Sequence, residues 1–173
     1  PLAERCRPQK FEDFVGQEHL LAKGKPLRNM LDAGFVTSFL IWGPPGSGKT
    51  TIAKLLANST GARFHQINAV SSGVREVREI ISIATEEKEA GLKTILFIDE
   101  IHRFNKGQQD ALLGSVEKGI ITLIGATTEN PSFEVIPALR SRMRIFKLNE
   151  LSEKDITSIV TSAITNDPVL AGT

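Results

Sequence analysis

The chain has 173 residues, of which 40% are hydrophobic and 24% charged, and its formal net charge is +1. That length is enough for one domain with a sizeable core, and the near-neutral charge by itself favours neither a nucleic-acid nor a membrane partner. The single cysteine, Cys6, excludes an internal disulfide and fits a reducing compartment. No apolar run is long enough to span a bilayer and no secretory signal is present. We therefore expect a cytoplasmic protein without a membrane partner.

The first quarter of the chain predicts an irregular segment, a helix and a buried strand. Residues 1–17 contain two prolines and predict no regular element, although their apolar side chains have to pack against something. After an interruption at Gly24 and Pro26, a helix is predicted over about Lys25–Ala33. Phe39–Trp42 is an apolar run that is bounded by a turn, which is typical of a buried strand.

A glycine-rich loop follows this strand. Residues 43–50 read Gly-Pro-Pro-Gly-Ser-Gly-Lys-Thr and fit G-x-x-x-x-G-K-[ST], the phosphate-binding P-loop or Walker A motif. A helix is predicted over Thr51–Asn58, so that backbone N–H groups point at phosphate oxygens near its positive end. Lys49 is then expected to reach the β- and γ-phosphates of ATP, and the Thr50 hydroxyl to bind Mg²⁺. The predicted nucleotide-binding residues of this loop are Gly43, Pro44, Pro45, Gly46, Ser47, Gly48, Lys49, Thr50 and Thr51.

Strands and helices alternate through the remaining chain. The predicted strands are Arg63–Asn68, Thr94–Ile98, Ile121–Ala126 and Arg144–Leu148, and the predicted helices are about 74–89, 107–117 and 137–140. A loop containing Pro131 lies between the last two of these helices, and an amphipathic helix begins at Ser152, where Asp155 completes a capping-box-like start. This alternation predicts an α/β fold with a parallel sheet that is covered by helices on both faces.

Polar side chains stand where two of the predicted strands end. Ile95–Glu100 is four apolar residues followed by two acids, the Walker B pattern. Asp99 is expected to hold Mg²⁺, directly or through water, and Glu100 to act as the general base for the attacking water; a solvated acidic strand end is the simpler alternative. Thr127 and Thr128 end the next strand and either meet the γ-phosphate or are ordinary strand residues.

Several other residues leave alternatives open. Arg140, Arg142 and Arg144 either include an arginine that stabilises phosphoryl-transfer charge in a neighbouring subunit or form surface ion pairs. His102 is not expected to bind a metal, because no other Cys or His stands at ligand spacing. Asn68 either hydrogen-bonds Glu100 and restrains it or is a structural residue at a strand end. Two further residues, Arg103 and Lys106, face DNA, a neighbouring subunit or solvent.

Taken together, these motifs resemble those of AAA+ ATPases. The resemblance implies that Thr128 is the γ-phosphate sensor and that Arg142 acts as a finger on the nucleotide of a neighbouring subunit. The early Arg7-Pro8 and residues 14–17 resemble the adenine-side segment of clamp-loader-type AAA+ proteins. That similarity implies that Pro8, Val15 and Gly16 bind the base.

Longer runs resemble the replication-associated recombination protein A family, whose eukaryotic relative is the Werner-helicase-interacting ATPase. They are residues 97–106 with 108–110, residues 124–134 and the opening residues 1–5, and the resemblance covers about residues 1–165. It implies a five-stranded parallel sheet, Mg-ATP hydrolysis at subunit interfaces, homo-oligomers (tetramers in this family) and DNA-dependent action at stalled replication forks. The implied partners are single-strand/double-strand DNA junctions and single-stranded-DNA-binding protein, and the implied location is the bacterial cytoplasm, associated with the nucleoid.

The resemblance also predicts how the chain is divided. Residues 1–150 are expected to form the ATPase core and residues 151–173 the truncated start of a helical lid, in a fragment of a longer protein whose sensor 2 arginine lies outside this chain. Hydrolysis by the fragment is therefore expected to be weak. The rival functions are a Holliday-junction branch-migration motor, a clamp-loader subunit and a scaffold that senses ATP without hydrolysing it. Intact Lys49, Asp99 and Glu100 speak against the scaffold.

Overall fold

The computed structural model describes residues 1–171, apart from the side chain of Phe133, and contains one five-stranded sheet. The strands are β1 (Phe39–Trp42), β2 (Arg63–Asn68), β3 (Thr94–Asp99), β4 (Thr122–Thr127) and β5 (Arg144–Lys147). They lie in the order β2-β3-β4-β1-β5, and every neighbouring pair is parallel. The predicted five-stranded parallel sheet with flanking helices is therefore confirmed.

Helices connect the strands and cover the sheet. They are α1 (Leu2–Arg5), α2 (Glu18–Leu21), α3 (Pro26–Ala33), α4 (Lys49–Thr60), α5 (Val74–Glu89), α6 (Lys106–Glu117), α7 (Pro131–Glu134), α8 (Pro137–Arg140) and α9 (Glu153–Asn166). Two 3₁₀ turns lie at Phe11–Asp13 and Ile101–Arg103. No helix in the described part of the chain is both long and apolar enough to cross a membrane.

The hydrophobic core lies in two layers, one on each face of the sheet. Side chains alternate along each strand, so Phe39 and Ile41 of β1 enter one layer while Leu40 enters the other. The first layer also holds buried residues of α3 and α4, and the second holds residues of α5, α6 and α8. Strands buried on both faces explain the continuous apolar runs in the sequence.

The carboxyl ends of the central strands meet at one edge of the sheet. In the register, Trp42 at the end of β1 lies beside Thr127 of β4 and Lys147 of β5. The chain continues this pairing past the strands, because Gly43 N–H donates to Thr127 O at 3.2 Å and Leu148 N–H donates to Trp42 O at 2.7 Å. Ligands of open α/β sheets bind at this edge.

Three local predictions need correction. Residues 1–17 are not wholly irregular, because they contain α1 and a 3₁₀ turn whose Phe11 is buried in the core. The segment at Pro131 forms the short α7 rather than a loop, since the Asn130 side chain accepts the Ser132 N–H at 3.0 Å and proline suits the first helical position. Strand β4 begins one residue later than predicted, because the Ile121 N–H bonds to Ser115 O instead of to the sheet.

The last helix has the predicted start but not a buried face. The Ser152 hydroxyl accepts the Asp155 N–H at 3.1 Å, and the Asp155 carboxylate accepts the Ser152 N–H at 3.2 Å, which completes a capping box. Its apolar residues, however, stay exposed: Ile156 by 50%, Val160 by 51% and Ile164 by 58%. Nothing within residues 1–171 covers this face of α9, so the amphipathic pattern is present without a packing partner.

Candidate functional site

A cleft of about 530 Å³ lies at the carboxyl edge of the sheet. Its wall is formed by the P-loop, the ends of β3 and β4, the N-terminal segment and α9. The predicted site residues that line it are Pro8, Val15, Pro45, Gly46, Ser47, Gly48, Lys49, Thr50, Thr51, Asp99, Glu100 and Thr128. The predicted residues that do not line it are Gly16, Gly43, Pro44 and Arg142. Most of the predicted site residues, although scattered along the sequence, therefore line one cavity.

Two glycines of the P-loop allow close approaches that a side chain would block. A Cβ on Gly43 would lie 2.8 Å from the Leu148 carbonyl oxygen, and a Cβ on Gly48 would lie 2.7 Å from the Phe14 ring. Gly48 also has a φ of +106°, which L-residues with side chains rarely adopt. Gly43 thus supports the loop from outside the cleft, whereas Gly48 leaves its backbone facing the cavity that it lines.

Lys49 is half buried at the start of α4, and its ammonium group is held by the loop itself. The Nζ atom donates to Gly43 O at 2.8 Å and to Pro44 O at 2.9 Å. Burial lowers the pKa of Lys49, and the negative charge of Asp99 opposes that shift. A second anionic group in the cleft would favour the charged form further. The position therefore suits a ligand that carries negative charge.

Asp99 and Glu100 end β3 and differ in what holds them. The Asp99 Oδ1 atom accepts the Glu100 N–H at 2.9 Å, while the backbone of Glu100 lies in the left-handed region with a φ of +53°. A non-glycine residue in that region is uncommon and worth a functional hypothesis. The Asn68 side chain does not hold Glu100 in this structure; its Oδ1 accepts the Val70 N–H at 2.8 Å, so the structural alternative for Asn68 applies.

Thr127 and Thr128 point to different sides of the sheet end. Thr127 is fully buried, its hydroxyl is 2.8 Å from His102 Nδ1, and it accepts the Glu129 N–H at 2.9 Å. Thr128 is exposed and lines the cleft. Of the two threonines, only Thr128 is placed to meet a ligand there. His102 bonds to Thr127, and within residues 1–171 no group of three or more His, Cys, Asp or Glu side chains stands close enough to hold a metal ion.

Comparison with known proteins assigns the family. The family model described as "ATPase family associated with various cellular activities (AAA)" matches residues 39–152, which include the P-loop, Asp99 and Thr128. The chain belongs to the AAA ATPase family. Membership supports nucleotide binding and ATPase activity as general properties of this AAA domain.

Individual relatives agree with this assignment. Replication-associated recombination protein A of Escherichia coli K12 is 53% identical over 164 residues, which are 95% of this chain and 37% of that protein. The protein of the same name from Bacillus subtilis is 44% identical, over 95% of this chain and 38% of its own length. The sequence resemblance to this family is therefore confirmed, while the AAA chain spans little more than a third of those relatives.

Solved structures show the same fold. The Thermotoga maritima RuvB Holliday junction branch migration motor has a TM-score of 0.73 and 30% identity, and the match covers 93% of this AAA chain and 54% of that protein. A point mutant of the same RuvB gives a TM-score of 0.74 with 30% identity, over 92% of this chain and 54% of its own. These matches support the AAA P-loop fold of the residues that build the cleft.

The three arginines of the AAA domain's C-terminal third have separate environments. Arg140 Nε donates to Val135 O at 3.0 Å, and Arg144 lies 5.0 Å from the ring of Phe146. Arg142 is ion-paired with Glu117, and its Nη1 donates to Ala138 O at 3.1 Å and Ser141 Oγ at 2.8 Å. The Arg142 side chain is 45% exposed and does not line the cleft.

Some cleft residues were missed by the sequence prediction. Ala3, Cys6, Leu151 and Ile159 line the cavity although none of them was a predicted site residue. The signal that could have found them is indirect: apolar residues left exposed at both ends of the chain need a partner. Because they lie far apart in sequence, only folding brings α1 and α9 to the same wall.

An ion pair between the partly exposed Arg5 and the buried Asp167 joins those two ends of the chain. Asp167 is 4% exposed, and its carboxylate accepts Arg5 Nε at 3.0 Å and the Val169 N–H at 2.9 Å. The hydrogen bond from Arg5 holds the pKa of Asp167 below its ordinary value, and burial opposes this shift. The same bond raises the pKa of Arg5. A second cavity, of about 430 Å³, lies beside this pair.

Proposed function

We propose that this chain is the ATPase core of an oligomeric, DNA-dependent AAA+ ATPase that acts in replication-fork maintenance and recombination. The observation that carries the proposal is the single cleft in which Lys49, Thr50, Asp99, Glu100 and Thr128 converge. Each is a residue type that ATP hydrolysis requires, and three separate segments of the chain supply them. Energy from hydrolysis would be used to remodel DNA or protein that is bound to DNA.

The P-loop binds the phosphates of ATP in this proposal. Lys49 exchanges its carbonyl partners for the β- and γ-phosphates, and the backbone of residues 46–51 surrounds the phosphate chain at the start of α4. Thr50 and Asp99 offer a hydroxyl and a carboxylate oxygen to the same cavity, the hard oxygen donors that Mg²⁺ prefers. Bound there, Mg²⁺ would neutralise charge on the β- and γ-phosphates.

Hydrolysis itself is assigned to Glu100 and Thr128. Glu100 takes a proton from the attacking water, whose oxygen bonds to the γ-phosphorus while the bond to the leaving ADP oxygen breaks. Thr128 contacts the γ-phosphate or orients that water. Asp99 accepts the Glu100 N–H, so it also fixes the backbone that carries the base.

We assign the arginine finger to Arg142, acting in a neighbouring subunit. Its side chain is exposed and does not line the cleft of its own chain, which supports an action on another copy; in that role its ion pair with Glu117 would be exchanged for the nucleotide. This role needs a homo-oligomer, which we propose to be a tetramer when the protein is complete. At the other end of the nucleotide, Pro8 and Val15 of the cleft wall are proposed to bind adenine. Gly16 supports that wall from behind.

The cellular assignment rests on similarity to the recombination protein. Identity of 53% to the Escherichia coli replication-associated recombination protein A supports a role in replication-associated recombination. As part of this role we propose DNA junctions and single-stranded-DNA-binding protein as partners, and a nucleoid-associated cytoplasmic location. We propose residues 1–150 as the ATPase core and residues 151–173 as the start of the lid; the last two of these lie outside the described residues. Hydrolysis by this chain alone is expected to be weak.

A branch-migration motor is the second candidate. The observation in its favour is the RuvB match at a TM-score of 0.73. Its identity of 30% is well below the 53% of the recombination protein, so we rank it second. A clamp-loader subunit would share the P-loop, the Asp99-Glu100 pair, the arginine and the adenine-side segment, but residues 102–106 and 129–134 favour the recombination protein over it. A non-hydrolysing scaffold would not require Glu100.

The test is steady-state ATP hydrolysis by the full-length parent protein. It is measured without DNA, with blunt duplex, with a four-way junction and with duplex that carries a single-stranded gap or end, each with and without a sliding clamp. Stimulation by gaps or ends without the clamp is the expected result. A requirement for the clamp would favour the loader, stimulation only by the four-way junction would favour the motor, and no hydrolysis under any condition would overturn the proposal.

A further inference from the structure

Gln17 joins three segments that surround the cleft. It is only 6% exposed although its side chain is polar. Its Nε2 donates to Ser47 O at 3.2 Å and to Asn149 O at 2.8 Å, while its Oε1 accepts the Asn149 N–H at 3.0 Å. One side chain therefore connects the N-terminal segment with the P-loop and with residues 148–152, the link between β5 and α9.

The backbone of Gln17 is held in an unfavourable conformation. Among residues 1–171, Gln17 and Glu100 are the two non-glycine residues with positive φ, and Gln17 lies at φ +56°. For an L-residue with a side chain this conformation is unfavourable. It persists where surrounding contacts fix it, and such residues cluster at functional sites. The three side-chain bonds of Gln17 supply those contacts.

The bond to Ser47 O fixes the orientation of one P-loop peptide. A trans peptide is planar, and its C=O and N–H point in opposite directions. Gln17 holds the Ser47 carbonyl on the side away from the cleft, since Gln17 does not line that cavity. The N–H of Gly48, in the same peptide, would then point towards the cavity that Gly48 lines. This is the direction in which a phosphate oxygen would accept it.

Neighbouring residues of the same segment contact the same two regions as Gln17, the P-loop and the start of α9. The Phe14 ring lies against Gly48, where a Cβ would come within 2.7 Å of it. Gly16 lies against Leu151 and Asp155, where a Cβ would come within 3.2 Å of either side chain. The segment 14–17 is thus packed between the P-loop and the start of α9.

We propose that Gln17 is a positioning residue for nucleotide binding. It orients the 47–48 peptide for phosphate and transmits the state of the P-loop to residues 148–152. When a phosphate draws Gly48 N–H inward, Ser47 O moves with it, and Gln17 carries that movement to Asn149. The inference rests on the proposed function, because it requires that the cleft binds a nucleotide.

The first test compares ADP and ATP affinities of wild type, Gln17→Met and a control, Gln66→Met. Methionine keeps the length of the side chain and removes all three bonds, and Gln66 is exposed on β2. We expect Gln17→Met to weaken ADP binding about 10-fold, which corresponds to about 1.4 kcal/mol, and the control to leave it unchanged. ADP is included because its binding reports on the phosphate-binding loop without any contribution from hydrolysis.

The single tryptophan reports on the transmitted movement. Trp42 precedes the P-loop, its carbonyl accepts the Leu148 N–H at 2.7 Å, and Lys147 Nζ lies 5.1 Å from its ring. Nucleotide binding is expected to change Trp42 fluorescence in wild type and in Gln66→Met. In Gln17→Met at saturating ADP the change is expected to fall by about half or more, since the link to Asn149 is lost.

A second variant separates positioning from folding. Gln17→Glu keeps an acceptor for the Asn149 N–H but sets its other oxygen against Ser47 O. When protonated, that oxygen can donate; as a carboxylate it cannot. ADP affinity of Gln17→Glu is therefore expected to be several-fold tighter at pH 5 than at pH 8, corrected for the wild-type change over the same range.

The results of these experiments either support or refute the positioning role of Gln17. Weaker ADP binding with a reduced Trp42 response supports the proposal, and so does pH-dependent rescue in Gln17→Glu if Gln17→Met does not fold. A lower melting temperature of Gln17→Met with unchanged ADP affinity and fluorescence would show a purely structural role and overturn it. Wild type that binds no nucleotide would instead refute the proposed function.

Discussion

Replacing Lys49 by alanine tests the nucleotide site most directly. In the structure, Lys49 Nζ donates to Gly43 O and Pro44 O at 2.8 and 2.9 Å. Binding of ATP therefore exchanges two acceptors for phosphate oxygens rather than adding two new bonds. A hydrogen bond that involves a charged group contributes about 1.5–3 kcal/mol. Because these bonds are exchanged rather than added, we assign each of the two the lower value of this range. Lys49→Ala is therefore expected to lose about 3 kcal/mol of ATP-binding free energy, which raises the Kd for ATP on the order of 100-fold.

Stability of the free protein should change much less. Lys49→Ala loses the two bonds to the loop, but it also removes a half-buried charge whose burial lowers the pKa of Lys49. These effects oppose each other, so the free energy of unfolding is expected to shift by no more than about 1 kcal/mol. The variant therefore separates binding from folding.

The assay is equilibrium binding of ATP and ADP, with urea unfolding of the same samples as the fold control. Lys23→Ala is the matched control variant, because Lys23 is an exposed lysine outside the cleft. A Lys49→Ala protein that binds ATP within about threefold of wild type would refute the assignment of the P-loop. A large loss of stability with no specific loss of binding would refute the structural argument about exchange.

Three further predictions concern hydrolysis, assembly and acid stability. Glu100→Gln is expected to keep ATP affinity and to lower turnover about 10²–10⁴-fold, because the amide cannot accept the proton of water; steady-state ATPase and binding assays measure both. Arg142→Ala is expected to lower turnover of the assembled protein about 10³-fold, and mixing it with Lys49→Ala should restore part of the activity, since each supplies the half that the other lacks. Asp167→Asn is expected to flatten the fall of stability in acid. The pKa of Asp167 is lower in the folded protein than its ordinary 3.8, so its contribution is present above that value and is lost as pH falls through the folded pKa; urea midpoints at pH 5 and pH 3 measure it.

Each of these has a control and a contrary result. Glu129→Gln is the control variant for Glu100→Gln, because Glu129 is an exposed acid just beyond the end of the next strand. Unchanged turnover in Glu100→Gln would show that another residue is the general base. Arg144→Ala serves for Arg142, and a mixture without any regained activity would argue against a finger that acts between subunits. Equal loss of stability in acid for wild type and Asp167→Asn would contradict the role of the Arg5 pair.

The sequence alone was sufficient to identify the motifs that consist of contiguous residues. Gly43–Thr50 and Asp99-Glu100 carry their chemistry in local order, and buried parallel strands produce apolar runs that are visible without a structure. The sheet, its five strands and the convergence of these motifs at one edge followed from that pattern.

Contacts between distant residues could be decided only by the tertiary structure. The choice of Thr128 over Thr127 for the cleft depends on where each side chain lies at the end of β4: Thr127, its last residue, bonds to His102, while Thr128, just beyond it, lines the cleft. Asn68 offered an equally polar side chain beside Glu100, yet a local turn takes its oxygen. In both cases the residue type permitted two partners, and only the geometry of the chain selected one.

The same holds for the links that complete the site. Arg5 and Asp167 lie 162 positions apart, and Gln17 and Asn149 lie 132 apart, so no window of local sequence contains either pair. Helix α9 shows the opposite case. Its amphipathic pattern is local and was predicted correctly, but the pattern alone does not show whether another element covers the apolar face, which is exposed. Local chemistry depends on neighbouring residues, whereas burial and long-range hydrogen bonds exist only once the chain has folded.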